Sequence, residues 1–267
     1  MIKSTVKRLR GGIRPLLLKL AGEDAAEVSK LRQWGSPSFE GDAMRTYYKD
    51  MSWMTDPRFQ EAYQTGFNSG HKFSKVISEL RLEWRLHIIL WAAQQALHHE
   101  GDFVECGVNT GIFSLAICQY LNFSALPRKF YLFDTYEGIP ESQMSSTERE
   151  KRNKENAAFY EDCWAIAQRN FAPWPNAQLV KGLVPDSLAT VPVEKVAYLS
   201  IDMNIAKPER DALEYFWPRL SSGGVVILDD YGWENYREQK STLDEFAKAQ
   251  NVTICCLPTG QGLLVKP

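Results

Sequence analysis

Short apolar runs alternate with helix-like segments from residue 102 to the end of the chain, and this alternation constrains the fold most. The strand candidates are Phe103–Cys106, Lys129–Phe133, Gln178–Lys181, Val196–Ile201, Val225–Leu228, Val252–Cys256 and Leu263–Lys266. Helices are predicted between them at Gly111–Leu121, Asn153–Asn170, Pro208–Phe216 and Glu238–Ala249. Such alternation predicts a mainly parallel sheet with helices on both faces.

The last two apolar runs lie too close together for a parallel connection. Only Leu257–Gly262 separates them, and this loop contains one proline and two glycines. A loop of this length allows a hairpin, so the final strand should run antiparallel. An apolar stripe over Arg81–His99 predicts a helix that packs on the sheet. We therefore predict a seven-stranded, doubly wound α/β sheet with a terminal antiparallel hairpin over residues 81–267, after a helical cover segment over residues 1–80.

Composition excludes several classes of function. The chain has 31 basic and 33 acidic residues, so no global field would recruit nucleic acid. No apolar stretch reaches the roughly 18 to 20 residues that a membrane span needs. The five cysteines show neither CxxC pairing nor zinc-site spacing, which predicts free thiols and a cytoplasmic location.

Three further segments carry weaker signals. Lys3–Lys19 contains six basic residues and no acid, which predicts a solvated leader, with contact to anionic lipid or a partner as the alternative. Asp42–Asn68 is rich in aromatic residues, as in cover helices or a subunit interface, so we expect a homo-oligomer. Glu141–Asn156 is polar and reads as a mobile surface loop that runs into a helix and could serve as a lid.

Three carboxylates stand where two of the apolar runs end. Asp202 follows Val196–Ile201, and Asp229 and Asp230 follow Val225–Leu228. Open α/β sheets bind ligands beyond the carboxyl ends of their strands, and Mg²⁺ prefers oxygen ligands of this kind. Taken singly, each acid could open a loop or cap a helix. Together they predict a metal site.

A glycine turn follows the first predicted strand of the sheet. It reads Glu105-Cys106-Gly107-Val108-Asn109-Thr110-Gly111 and leads into a helix, so that backbone amides could approach a ligand. Asp134 ends the next strand, where an acid typically binds a ribose diol, although a tight turn and an Asx residue would look the same. The pair indicates an adenosine-containing ligand. The third glycine of dinucleotide sites is missing, and the three acids suit methyl transfer from S-adenosylmethionine to a hydroxyl.

The stretch from Glu83 to Pro267 resembles the macrocin-type O-methyltransferases, which include the mycinamicin and novobiocin sugar enzymes. The resemblance rests on Gly101–Val108, Phe133–Pro140, Lys181-Gly182 with Pro185–Leu188, Ile201-Asp202, Trp217–Gly224 and Asp229–Tyr231. It implies a Rossmann-like class I methyltransferase fold, S-adenosylmethionine as donor, Mg²⁺, and a small-molecule acceptor of secondary metabolism with a sugar or similar hydroxyl.

The resemblance also implies roles for individual residues. Asp202, Asp229 and Asp230 would bind the metal, and Asp202 could also act as the catalytic base. The donor would be bound by the glycine turn, by the end of the second strand and by the turn that meets the adenine: Glu105, Gly107, Val108, Asn109, Gly111, Asp134, Thr135, Gly182 and Asp186.

The chain departs from the family pattern just after Asp202. Asn204 stands where members usually have a second acid, and Lys207 stands where they have an acidic residue of an aromatic-acid pair. The amide oxygen of Asn204 could still bind a metal, and Lys207 could pair with an acidic acceptor or with Asp202. His71 could reach the site from the cover segment. A metal-independent methyltransferase, a non-catalytic cofactor-binding protein and a nucleotide-dependent redox enzyme remain alternatives.

Overall fold

The computed structural model describes residues 35–73 and 80–267, so the basic leader Lys3–Lys19 lies outside the described residues. The chain divides into two compact units, residues 1–52 and 53–267. The described part of the first unit holds a short hairpin in which β1 (Phe39–Gly41) pairs antiparallel with β2 (Met44–Thr46). This hairpin lies in and beside the aromatic segment for which the sequence suggested helices.

The second unit begins with helix α1 (Pro57–Phe67). Asp56 caps it by accepting hydrogen bonds from the backbone N–H groups of Arg58 (2.8 Å) and Phe59 (3.1 Å), and Pro57 suits the first helical position. Gly66 allows α1 to pack closely against the backbone at Ile112, because a Cβ at position 66 would lie 2.0 Å from the carbonyl oxygen of Ile112. This end of the aromatic segment is therefore helical and part of the core.

The second unit contains the predicted seven-stranded sheet. Its strands are β3 (Asp102–Cys106), β4 (Phe130–Asp134), β5 (Ala177–Lys181), β6 (Val196–Ile201), β7 (Leu220–Leu228), β8 (Cys255–Cys256) and β9 (Gly262–Val265). The order is β5-β4-β3-β6-β7-β9-β8, with β3 to β7 parallel and β9 antiparallel to both β7 and β8. The predicted fold class and the terminal hairpin are confirmed.

Helices cover both faces of the sheet. They are α2 (Glu83–Ala96), α3 (Ile112–Leu121), α4 (Ser146–Phe159), α5 (Trp164–Phe171), α6 (Ala206–Phe216) and α7 (Arg237–Ala249). Neighbouring strand residues point to opposite faces: Phe103 joins the apolar layer of α1, α2, α3 and α5, whereas Val104 joins that of α6 and α7. Within residues 35–73 and 80–267, no helix combines the length and the apolar character that a bilayer crossing requires.

The structure corrects one helix prediction. The segment Asn153–Asn170 was predicted as one helix, but α4 ends at Phe159 and α5 begins at Trp164. The start of α4 is also earlier than predicted, because Ser145 and Glu148 form a capping box in which each side chain binds the other residue's backbone N–H. Most of the polar stretch read as a loop is therefore helical.

Candidate active site

The glycine turn brings the ends of two parallel strands together. Gly107 has a φ of 89°, and a Cβ at this position would lie 1.8 Å from the backbone oxygen of Asp202. Only glycine fits both the left-handed backbone and this close approach. The turn after β3 is thus in contact with the start of the loop that carries Asp202.

Asp134, at the end of β4, organises the same turn. Its Oδ2 accepts hydrogen bonds from the backbone N–H groups of Val108 (2.6 Å) and Asn109 (2.7 Å), and its Oδ1 accepts one from Tyr136 (2.6 Å). The Thr135 hydroxyl also lies 3.3 Å from Oδ1, but it has one proton and donates it at a shorter distance to Gly138, so Oδ1 can accept a further hydroxyl. The hydroxyl of Thr135 donates to the carbonyl of Gly138 (2.7 Å) and shapes the adjoining turn.

A cleft open to solvent runs along the carboxyl ends of the strands. This is the edge at which open α/β sheets bind their ligands. Eight of the residues implied by the family resemblance line the cleft: Glu105, Gly107, Val108, Asn109, Asp134, Thr135, Gly182 and Asp202. The cleft therefore connects the glycine turn to the first of the three acids.

The other implied residues lie outside this lining. Gly111 precedes α3 and packs against Phe171, whose ring would lie 2.6 Å from a Cβ at that position. Asp186 is exposed and begins a 3₁₀ turn. Asp229 and Asp230 follow β7 and do not line the cleft themselves. They are close to Asp202, which does line it.

Glu105 is a buried carboxylate whose charge is not balanced by the described residues. It is 2% exposed, it lines the cleft, and its Oε2 has no hydrogen-bond partner in the described part of the chain. Burial raises the pKa of Glu105 to about 8, and the charges of Asp229 and Asp134 add to this effect. A cationic ligand group at this end of the cleft would offset the cost of burial.

The three acids beyond β6 and β7 form one cluster. Asp202, Asp229 and Asp230 each offer an oxygen, and these oxygens lie within 4.8 Å of one another. Burial, followed by repulsion from Asp229 and Asp230, raises the pKa of Asp202 well above the usual carboxyl range. Burial and Asp229 raise the pKa of Asp230 to about 7, while Arg85 and Arg152 offset part of this rise. The donor set and the repulsion within it fit a divalent cation.

Asp229 is held by two residues that the sequence reasoning missed. Arg85 of α2 donates from Nη1 to its Oδ2 (2.7 Å), and Gln261 before β9 donates from Nε2 to its Oδ1 (3.0 Å). All three side chains are buried or nearly so. No short motif could have revealed them, because 144 and 32 residues separate the partners. Carboxylates that bind metals are often held by such hydrogen bonds.

The two departures from the family pattern lie in different surroundings. The Oδ1 of Asn204 accepts a hydrogen bond from the hydroxyl of Tyr236 (3.0 Å), while its Nδ2 lies 3.5 Å from Asp202 Oδ1. Asn204 thus turns an amide N–H toward Asp202, and its oxygen is engaged elsewhere. Lys207 forms an ion pair with Asp211 (2.6 Å), which contradicts the suggested pairing with Asp202.

His71 and Tyr160 also line the cleft. The His71 Nδ1 accepts a hydrogen bond from the backbone N–H of Phe73 (2.9 Å), and burial lowers the pKa of the ring to about 4. At neutral pH the ring is therefore uncharged, with its proton on Nε2. The prediction that His71 could reach the site agrees with its place in the cleft lining. Tyr160 was not among the predicted site residues.

Comparison with known proteins identifies the family. The sequence profile of the macrocin O-methyltransferases (TylF) matches residues 72–256, which is more than half of the chain. The chain belongs to the macrocin O-methyltransferase family. The curated relatives of this family member include the 8-demethyl-8-(2,3-dimethoxy-alpha-L-rhamnosyl)-tetracenomycin-C 4'-O-methyltransferase of Streptomyces olivaceus, which is 31% identical over 147 residues. That match covers 52% of this chain and 56% of the relative, so the chain spans just over half of the relative's length.

A second relative supports this assignment, and two solved structures share the fold. Mycinamicin III 3''-O-methyltransferase of Micromonospora griseorubida is 25% identical over 207 residues, 71% of this chain and 80% of the relative. The O-methyltransferase NovP superposes with a TM-score of 0.60 at 22% identity, over 68% of this chain and 79% of NovP. Calicheamicin methyltransferase CalS11 superposes with a TM-score of 0.51 at 20% identity, over 86% of this chain and 99% of CalS11. At these identities the structures establish the class I methyltransferase fold.

Proposed function

We propose that this protein transfers a methyl group from S-adenosylmethionine to a hydroxyl of a sugar or another polar secondary metabolite. The observation that carries the proposal is the position of Asp202. It lines the cleft that begins at the glycine turn, and it also belongs to the acid cluster. A donor in the cleft and an acceptor at the acids would therefore meet at one side chain.

The donor half of the cleft suits an adenosyl amino acid. Glu105 would bind the ammonium group, which gives its buried Oε2 the cationic partner that the described residues do not supply. Asp134 would accept from the ribose hydroxyls through Oδ1, with Gly107, Val108, Asn109 and Thr135 around it. Gly182 lines the far end of the cleft, where an adenine would lie. Gly111 and Asp186 would support these turns from outside the lining.

The acid half would hold Mg²⁺ through Asp202, Asp229 and Asp230. When bound, the ion would lower the pKa of an acceptor hydroxyl and fix its orientation. Asp202 is the member of the cluster that lines the cleft, and so it is placed to accept the hydroxyl proton. The acceptor oxygen then forms a bond to the methyl carbon as the sulfur–methyl bond breaks, leaving a methyl ether, S-adenosylhomocysteine and a proton on Asp202.

The acceptor class follows the relatives, whose names refer to a rhamnosyl-tetracenomycin, to mycinamicin III and to a novobiocin compound. By this reasoning the partner is a small molecule with sugar hydroxyls. A cytoplasmic location and a homo-oligomer, expected from the cysteine pattern and from the aromatic segment, belong to the same proposal.

One observation favours a second candidate, a methyltransferase that needs no metal. The guanidinium of Arg85 already neutralises Asp229, and the positive charge of Arg152 acts on Asp230. Two cations of the chain thus face three carboxylates. Methyl transfer that persists undiminished in EDTA would favour this candidate over the Mg²⁺-dependent one.

A transfer assay tests the proposed function. The protein would be incubated with S-adenosylmethionine, Mg²⁺ and a panel of deoxysugar glycosides, and gain of one methyl group would be read by mass spectrometry. We expect Asp202→Asn to lower kcat about 100-fold or more, because the proton acceptor is removed. Asp211→Asn, which changes the half-buried partner of the exposed Lys207, is the matched control. Equal turnover in both variants would contradict the role of Asp202.

A further inference from the structure

Helix α4 is attached to the rest of the protein in an unusual way. Its only buried residues are charged, Glu148 at 7% and Arg152 at 2% exposure. They lie one helical turn apart on the same face, and the rest of the helix is polar except for its last three residues, Ala157–Phe159. A surface helix normally packs through an apolar stripe, so two buried charges mark contacts with specific partners.

Glu148 contacts the loop that carries Asp202. Its Oε2 accepts from the backbone N–H of Ser145 (2.9 Å) within the capping box, while its Oε1 accepts from the backbone N–H of Ala206 (2.8 Å). Ala206 is the first residue of α6, and the residue before it supplies no side-chain cap. One carboxylate therefore caps its own helix and a second one.

A second buried acid acts on the same loop. Glu209 accepts hydrogen bonds from the backbone N–H groups of Met203 and Asn204, both at 3.1 Å. Of the four residues that follow Asp202, three thus donate their backbone N–H to one of these two carboxylates: Met203, Asn204 and Ala206. The loop is shaped by these two acids, and only Glu148 comes from α4.

Arg152 contacts the segment that follows Asp230. Its Nη2 donates to the carbonyl of Asn235 (3.2 Å), and its guanidinium carbon lies 3.9 Å from the centre of the Tyr236 ring. Lys151 donates to the same carbonyl (3.2 Å). Tyr236 in turn donates to Asn204, which lies beside Asp202. The two buried charges of α4 therefore reach the loops of two different strands.

We propose that Glu148 and Arg152 are positioning residues for the acid cluster. Through them, α4 contacts both the Asp202 loop and the segment after Asp230, and this pair of contacts is called the clasp below. Docking of α4 and cation binding by the three acids are thereby coupled. The cation part of this inference rests on the proposed function. By reciprocity, a bound cation should stabilise the docked α4 as much as docking favours the cation.

The helix offers a matched control. Glu150 and Lys154 lie four residues apart in the helix, as Glu148 and Arg152 do, and they form an ion pair with side chains 84% and 74% exposed. Replacing Glu150 by Ala removes the same kind of side chain from the same helix but leaves both clasp residues in place. Loss of helical propensity or of surface charge would affect both variants alike.

The experiment combines hydrogen exchange with Mn²⁺ binding, for the wild type, Glu148→Ala, Arg152→Met, Arg152→Lys and Glu150→Ala. We expect Glu148→Ala to speed amide exchange over residues 203–207, and Arg152→Met to speed it over residues 234–238. Both should weaken Mn²⁺ about 10- to 100-fold while leaving S-adenosylhomocysteine affinity within about twofold. Glu150→Ala should match the wild type, and Arg152→Lys should recover part of the Mn²⁺ affinity.

Each outcome decides a different statement. Unchanged exchange over residues 203–207 in Glu148→Ala would overturn the clasp, whatever the metal result. Faster exchange with unchanged Mn²⁺ affinity would overturn the coupling. If the wild type binds no Mn²⁺, the cation part of the proposed function and the coupling both fail, while the exchange data still test the clasp. Equal loss of Mn²⁺ and S-adenosylhomocysteine affinity would indicate general unfolding and would also overturn the inference.

Discussion

At the glycine turn, backbone amides and two local carboxylates shape the donor half of the cleft, whereas the acid half is held by side chains from distant segments. Val108 and Asn109 donate to Asp134 within 26 residues of chain. Asp229, by contrast, is held by Arg85 across 144 residues. Local hydrogen bonds follow from a short motif, but distant ion pairs require the finished fold. The donor half therefore follows from a short motif, whereas the acid half depends on the folded chain.

Gly107→Ala should have the largest effect, because this residue joins the two halves. The new Cβ would meet the backbone oxygen of Asp202, which cannot move without shifting β6. We expect the free energy of unfolding to fall by about 4 kcal/mol or more. Urea denaturation measures this change.

Gly70→Ala is the matched control. Gly70 has nearly the same φ, 87°, but among the described residues a Cβ there would meet only Ile166, at 3.7 Å. The backbone strain alone should cost about 1 to 2 kcal/mol. If the two variants lose the same stability, the close approach between the glycine turn and the Asp202 loop does not constrain the fold.

Arg85→Met tests the acid half alone. It would leave the Asp229 carboxylate buried without its guanidinium, and we expect a loss of about 3 kcal/mol at neutral pH. Asp229→Asn added to this variant should recover part of the loss, because the uncompensated charge is gone. Chemical denaturation of the single and double variants measures both effects.

The exposed pair of Arg237 and Glu234 provides the comparison for this result. Their side chains are 78% and 83% exposed, so Arg237→Met should change stability by less than about 1 kcal/mol. A loss for Arg85→Met as small as that for Arg237→Met would mean that Asp229 does not depend on Arg85.

Glu105→Gln tests the donor half and should have opposite effects on stability and binding. The folded-state pKa of Glu105, about 8, lies above the value in the unfolded chain. The folded state therefore binds the extra proton, and this group's contribution to stability is lost as pH rises from about 4 to about 8. At pH 7 the neutral variant should be more stable than the wild type, by on the order of 3 kcal/mol.

The same variant should weaken S-adenosylhomocysteine binding about tenfold or more, because the ammonium group loses its anionic partner. In the wild type, affinity should rise with pH toward the pKa of about 8, as Glu105 becomes ionised. Titrations between pH 6 and pH 8 measure this slope in both proteins. A wild-type slope that persists in Glu105→Gln would assign the titration to another group.

Much of the fold followed from the sequence because its signals are local. Val196–Ile201 reads as a buried strand and is one, with the predicted bounds. The break between α4 and α5 was missed because the polar stretch shows no apolar period, although the capping box at Ser145 and Glu148 marks the start of α4. In the site, Asp134 and Asp202 were proposed from their places at strand ends and Glu105 from the glycine motif and the family resemblance, and all three line the cleft. Arg85, Gln261 and Arg152 were not predicted, since their partners lie far away in sequence and their roles depend on burial.

The most direct test is a calorimetric titration of S-adenosylhomocysteine into the protein, first with Mg²⁺ and then with EDTA. We expect saturable binding in both conditions with similar affinity, because the donor half is built from the glycine turn, Glu105 and Asp134 rather than from the acid cluster. Absence of binding in both conditions would contradict the donor assignment and with it the proposed methyl transfer. Binding only in the presence of Mg²⁺ would contradict the independence of the two halves.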